Sequence, residues 1–341
     1  MHVSPFMLKP PPYARIAVVA LLAAVALGTL ATTSPLPIAP SGVAAATRPP
    51  DRVSPGAWYD MRVSSADITF WAPATMPAGA PPIRPRAGIL IDMDTGEILW
   101  ERQPDLELAP ASLTKVLTSL VALENFSPDQ PVIVTAKALG QPADDTRMGL
   151  KAGETLTVQE LLDGMLLPSG DDAASAIAMD TVGISRFVAA MNAQVAALGL
   201  SESHFTAPAG LDDPGLYSSA HDLAVIADYT YQRFPLFDQV VGARTITLPG
   251  GVEHPAFHLH NANALLEAYP AAVGIKPGWT GDAGACLIGM AVRGGHHLLA
   301  VVLSGNYPAR LESRLFDWGF QLEGLPPLLP PTPAPKPLRA R

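Results

Sequence analysis

Cysteine is all but missing from this chain of 341 residues: the single Cys286 excludes an internal disulfide and any metal centre built on a cysteine cluster. Charged residues make up only 16%, no long basic run occurs, and the formal net charge is -9, so nucleic acid is not an expected partner. Histidine is scarce as well. The eight that occur form no H-E-x-x-H pattern. The pairs His258-x-His260 and His296-His297 read as exposed strand or loop residues rather than ligands. Neither a metal nor a cofactor is expected. What the chain does have is apolar residues, 48% of the total, ample for a large core and unlike a disordered sequence.

Proline marks the edges. Of the 36 prolines, 15 precede residue 86 and 7 follow Gly324. Residues 47–85 therefore read as an extended spacer, with Ile68-Thr-Phe-Trp71 suggesting some local packing, and residues 324–341 as a Pro-rich tail unable to form a regular helix. Ahead of the spacer, Lys9 and Arg15 precede an uncharged apolar run from Ile16 to Ala31. That run is shorter than the roughly 20 residues of a membrane span and fits the core of a secretory leader. Residues 1–46 are thus expected to be a signal peptide, or an N-terminal anchor if retained, with export as the consequence. No cysteine follows the run, so a lipoprotein anchor is excluded.

Residues 86–323 remain as one domain. Ala87–Asp92 and Glu97–Trp100, around Asp94-Thr-Gly, predict a hairpin. Helices are expected from Ser112 to about Glu124, from the Thr157-x-x-Glu160 capping box onward, over 171–182 and 184–198 with a break at Gly183, and over 220–233. A short strand is expected at Pro131. Strands over 272–276, 285–293 and 297–303 and a closing helix over 311–320 complete the order. Two strands, a helical middle, three strands and a helix fit an α+β fold whose sheet is assembled from both chain ends.

Ser112-Leu-Thr-Lys115 opens the first helix. At 3.6 residues per turn, i and i+3 share a face, so the serine hydroxyl and the lysine amine can meet. The partial positive charge of a helix N-terminus favours a deprotonated serine and a neutral lysine. That is the composition of an activated nucleophile, yet Ser-x-x-Lys alone reads better as a capped helix with a solvated lysine. Two later stretches supply partners: Leu166-Leu-Pro-Ser169-Gly170-Asp171-Asp172 between two helices, and Gly274-Ile-Lys276-Pro277-Gly278-Trp279-Thr280 at the end of a strand. Ser304-Gly305-Asn306 and Lys151-Ala152-Gly153 repeat the same letters but read as turns.

In this order, with Ala87-Gly-Ile-Leu-Ile-Asp-Met-Asp-Thr-Gly, Arg147-Met-Gly-Leu-Lys-Ala-Gly-Glu, Tyr217-Ser-Ser-Ala-His-Asp-Leu and Asn261-Ala-Asn263 around them, these motifs resemble the D-alanyl-D-alanine carboxypeptidases. These are low-molecular-mass penicillin-binding serine peptidases related to the serine β-lactamases. The resemblance implies a β-lactamase/transpeptidase-like fold, an antiparallel sheet flanked by helices with a helical subdomain inserted. It implies Ser112 as nucleophile, Lys115 as base and Ser169 as proton relay to the leaving amine. Backbone N–H groups of Ser112 and Trp279 would hold the oxyanion, Gly278 would admit substrate backbone, and Lys276 with Thr280 would bind the terminal carboxylate. Asp171 and Asn263 complete the expected substrate-binding set. Peptidoglycan stem peptides are the implied substrates, and β-lactams the implied inhibitors.

Three positions depart from the family's pattern. Asp171 stands where Asn is usual, and an added carboxylate favours the charged form of Lys115, which predicts slower acylation at neutral pH or an alkaline-shifted optimum. Pro277 stands where Thr is usual, acceptable on an edge strand but lacking a hydroxyl. Ala209 stands where relatives often carry histidine. A serine β-lactamase shares the motifs, although no clear acidic deacylating base is evident on a loop. A weakened peptidoglycan-binding homologue is the other alternative, kept open by Asp171.

Overall fold

The computed structural model describes residues 68–140 and 145–330. The expected leader, the first part of the spacer and the end of the tail lie outside the described residues.

Short apolar runs rich in Ile, Leu and Val build a five-stranded antiparallel sheet in the order β2-β1-β9-β8-β7, from β1 (Ala87–Asp92), β2 (Glu97–Arg102), β7 (Ala272–Thr280), β8 (Gly284–Arg293) and β9 (His296–Leu303). Both chain ends feed it, as expected. All six residues of β1 are buried, because the strand lies between β2 and β9 and both its faces are covered. On one face Ile89, Ile91, Ile288, Leu299 and Val301 join the main core; on the other Leu90, Leu287, Leu298 and Ala300 meet Leu315, Phe316 and Phe320 of α8 (Pro308–Leu322). Each such fully buried side chain is worth about 1.5–3 kcal/mol relative to exposure.

The main-core face carries the helical middle. There α5 (Ala220–Arg233) lies on the sheet, and α1 (Thr114–Asn125) packs against α5 and is led in by a turn that touches β7 and β8. The helices α2 (Val158–Leu166), α3 (Asp171–Thr181) and α4 (Ile184–Ala197) pack around α1. α2 starts at the predicted capping box: Glu160 N donates to Thr157 Oγ1 at 3.1 Å, and Thr157 N donates to Glu160 Oε2 at 2.8 Å. The break at Gly183 is a residue at φ 89°, outside the range a helix allows.

The short strand expected at Pro131 is present as β3 (Pro131–Ile133). Five further short elements, β4 (Thr155–Thr157), α6 (Pro235–Gly242), β5 (Thr245–Leu248), β6 (Phe257–His260) and α7 (Leu265–Ala268), were not foreseen. β3 pairs with β4, α6 follows α5, β5 pairs with β6, and α7 leads into β7. The spacer differs more. Its second half docks on the domain: Trp71 N donates to Gly96 O and Ile98 N to Trp71 O, both at 2.9 Å, and Ile83 is buried against the α8 face. The tail is also held at its start, where Leu328 N and Leu329 N donate to the Asp317 carboxylate, each at 2.8 Å.

Candidate active site

Ser112 sits in a single 3-10 turn, Ala111–Leu113, that leads directly into α1. The turn is entered through Ala111 at φ 50°, a left-handed conformation that a residue with a Cβ adopts only when its surroundings enforce it. Gly210 is part of that enforcement. It lies at φ 87°, and a Cβ there would overlap the Ala111 carbonyl, so the chain can close on the turn only through glycine. Two further bonds tie the same strip to α1: Thr118 Oγ1 donates to Pro208 O at 2.7 Å, and Lys115 Nζ to Ala209 O at 2.8 Å.

Lys115 meets Ser112 as the spacing requires, its Nζ 2.9 Å from Ser112 Oγ. It also lies 2.6 Å from Asp171 Oδ1, in an ion pair whose side chains are 0% and 5% exposed. Burial lowers the Lys115 pKa from its usual value; the Asp171 charge and hydrogen bond oppose this, as do Asp145 and Asp172, without reversing it. The net direction is therefore downward, whereas Asp171 alone pointed upward. Desolvation of a fully buried ammonium outweighs one adjacent carboxylate.

The Ser169 loop is built on Asp172. Its carboxylate accepts from Met148 N, Gly149 N, Leu150 N and Ala173 N at 2.8, 2.9, 3.1 and 2.9 Å, which wraps the Arg147-Met-Gly-Leu stretch around the start of α3. Asp171 N donates to Thr146 O at 2.8 Å in the same wrap. Gly170 is pressed so closely that a Cβ would come within 2.7 Å of Gly164 O and 2.9 Å of Met148 N. Ser169 itself is nearly buried and takes φ 68°, a second left-handed serine-bearing turn.

β7 supplies the third side. It is an edge strand, and its residues alternate between the two faces. Lys276 and Gly278 face α1. Lys276 is fully buried and its pKa is held well below the usual value, by burial first and by Lys115 second, with Asp171 opposing. Its Nζ donates to Pro277 O at 3.1 Å. At Gly278 a Cβ would stand 3.0 Å from Ser112 N and 3.3 Å from Leu113 N, so the missing side chain lets the strand and the Ser112 turn touch. The Trp279 side chain is 71% exposed, and Thr280 Oγ1 accepts from Ala283 N at 3.2 Å. Cys286, opposite Gly278 on β8, is buried with its thiol pushed up to about 11 by desolvation.

Asn263 stands apart from this cluster. Its Oδ1 accepts from Leu265 N at 3.0 Å and starts α7, and its hydrogen bonds run to Leu265 and Asn261 rather than to Ser112, Lys115 or Lys276. It lines a cavity of about 440 Å³ with Pro277, Leu287 and Arg310, on the sheet face turned to α7 and α8. Ser304-Gly305 and Lys151-Ala-Gly153 are turns, at a left-handed Ser304 and in a loop where Lys151 N donates to Glu154 Oε2 at 2.9 Å. The roles that the sequence left unassigned are those of Ala209, acting through its carbonyl, and of Asp172. Pro208-Ala-Gly210 was the available signal for the first. The acidic pair at the start of α3 was the signal for the second.

A serine and a lysine on one helical face, a serine-bearing loop and an edge strand carrying a buried lysine thus lie together on one side of an antiparallel sheet. The sequence profile of the D-alanyl-D-alanine carboxypeptidase family, peptidase S11, matches residues 74–306. Among similar proteins, DacB2 of Mycobacterium tuberculosis is 37% identical over 264 residues, 74% of this chain and 89% of its own length. DacA of Escherichia coli K12 is 35% identical over 261 residues, 72% of this chain and 63% of its own. Both are D-alanyl-D-alanine carboxypeptidases by name. The crystal structure of the Streptomyces K15 DD-transpeptidase aligns with a TM-score of 0.67 at 30% identity, covering 72% of this chain and all of that one. A penicillin-binding protein homologue from M. tuberculosis gives 0.67 at 35% identity, covering 73% and 97%. The chain belongs to the D-alanyl-D-alanine carboxypeptidase family of serine peptidases.

Proposed function

We propose that this protein is an exported carboxypeptidase that removes the terminal D-alanine of peptidoglycan stem peptides through an acyl-enzyme on Ser112, and that β-lactams trap the same serine. The observation that carries the reading is the 2.9 Å bond between Lys115 Nζ and Ser112 Oγ beside the edge of β7. Ser112 Oγ attacks the carbonyl between the two D-alanines while Lys115 takes its proton. The oxyanion is held by the Ser112 and Trp279 N–H groups, and the C–N bond breaks as Ser169 passes a proton to the leaving amine. Lys276 and Thr280 bind the terminal carboxylate, and water then hydrolyses the ester. The extended substrate lies along the free edge of β7, a geometry an edge strand favours.

Export is supported by the leader-like pattern of residues 1–46 and by the location of the substrate outside the cytoplasmic membrane. A pentapeptide ending in D-alanyl-D-alanine tests the activity. The parent should release D-alanine and Ser112→Ala should release none; equal release by both would end the proposal.

A further inference from the structure

An ammonium carries three N–H bonds, and three acceptors surround Lys115 Nζ: Ser112 Oγ, Asp171 Oδ1 and Ala209 O, at 2.9, 2.6 and 2.8 Å. In that state the nitrogen has no lone pair with which to accept the Ser112 proton. Shedding a proton to water is obstructed, because the Lys115 side chain is wholly buried. The shortest of the three contacts leads instead to a carboxylate oxygen, itself shielded from solvent.

We propose that Asp171 is the proton acceptor for Lys115, so that the base is generated inside the site by transfer from Nζ to Oδ1. The inference rests on the acyl-enzyme reading of Ser112. The steps balance without an outside partner. One N–H bond of Lys115 breaks and an O–H bond forms on Asp171; the freed amine takes the Ser112 proton as Oγ bonds to the substrate carbonyl. After the leaving amine has drawn its proton through Ser169 and Lys115, Asp171 returns the borrowed one. The Lys115–Asp171 pair holds one proton before the nucleophile is activated, and no net charge enters or leaves a buried site. Asp171 acts through Lys115 and so is a positioning residue for the proton.

The surroundings favour the transfer. Burial lowers the proton affinity of Lys115. Lys276 on β7 also feels both members of the pair, and burial first and Lys115 second drive it toward its neutral form, so it does not compete as a fixed cation for the Asp171 carboxylate. Asp172 and Asp145 also face Lys115, and both favour its charge. Asp172 is committed to four backbone amides, which leaves Asp171 as the carboxylate in contact with the amine.

Two accounts of Asp171 make opposite predictions. If it only holds Lys115 charged, the reactive form is the pair stripped of its last proton, and Asp171→Asn moves the acid limb of acylation to lower pH. If it is the acceptor, the reactive form is the pair holding one proton. Activity is then lost on the acid side only when a second proton enters, and Asp171→Asn moves the limb to higher pH, because Lys115 must lose its proton to water. The asparagine keeps an oxygen acceptor of the same shape. The experiment follows the rate of labelled-penicillin acylation against pH for the parent and Asp171→Asn, with the dependence on D₂O fraction measured on each plateau. The expected results are an upward shift of the acid limb in the variant, and a bowed, two-proton isotope dependence in the parent that becomes linear in the variant. A downward or absent shift, or a linear dependence in the parent alone should the variant not fold, overturns the relay. Absence of any adduct in the parent overturns the acyl-enzyme reading, and the relay with it.

Discussion

Gly278 shows how little room the site leaves at single residues. The strand that carries Lys276 touches the turn that carries Ser112 through a missing side chain, with Ser112 N only 3.0 Å from where a Cβ would be. That N–H is one of the two proposed oxyanion donors, so a methyl group there both crowds the donor and pushes the turn from the strand. Misplacement by 1 Å costs about a hundredfold in rate, and the shift needed here is a fraction of that. Gly278→Ala is therefore expected to slow penicillin acylation about tenfold while the melting temperature changes little. Stopped-flow acylation together with a thermal melt checks this, and unchanged acylation would disprove the contact's role. Lys115 was legible at the same scale because i, i+3 spacing is a rule of helix geometry. The Ala209 carbonyl was not, since every residue has a carbonyl and only the fold decides which one is presented.

At the scale of elements, the long ones followed their patterns and the short ones did not. β1 and β9 are buried on both faces and read as near-continuous apolar runs, and α2 announces itself by its capping box. β5 hides because only Leu248 of its four residues is buried, leaving no alternation to detect. β4 is three residues long and owes its existence to β3, more than twenty positions away. α6 begins with Pro235 at its first position, a start signal that lay in the sequence unused.

α8 contains a polar anomaly that patterning also could not place. Glu312 is completely buried against Gly289 and Leu265, neither carboxyl oxygen has a partner among the described residues, and burial raises its pKa well above the usual 4.5. Burial thus favours the protonated acid in the native state. Its contribution to stability is full below pH 4.5 and declines as pH rises toward the native pKa, because the unfolded chain ionises first, at about 1.4 kcal/mol per pH unit. Glu312→Gln removes that slope. Relative to the parent, its melting temperature should be higher at pH 7.5 than at pH 4.5 by several degrees; the same difference at both pH values would contradict it.

For the whole molecule, the division into a sheet built from both ends and a helical middle could be read from element order alone, since a parallel βαβ arrangement would alternate strands and helices throughout. The domain's lower edge could not. Residues 68–85 are rich in proline and look like a linker, yet the few apolar side chains among them, Phe70, Met76 and Ile83, pack on the domain. Proline content reports stiffness and missing donors, not whether a segment is docked. The three motifs, separated by 57 and 107 positions between their first residues Ser112, Ser169 and Lys276, converge because α1, the α3 loop and β7 all border one side of the sheet.

That convergence is the central claim, and covalent labelling tests it most directly. The intact protein is incubated with a labelled penicillin, digested, and the modified peptide identified by mass spectrometry. The arrangement of Ser112, Lys115 and the β7 edge predicts one equivalent of penicilloyl ester on Ser112, lost in Ser112→Ala. A label on Ser169, Ser304 or Cys286, or no label at all, would contradict it.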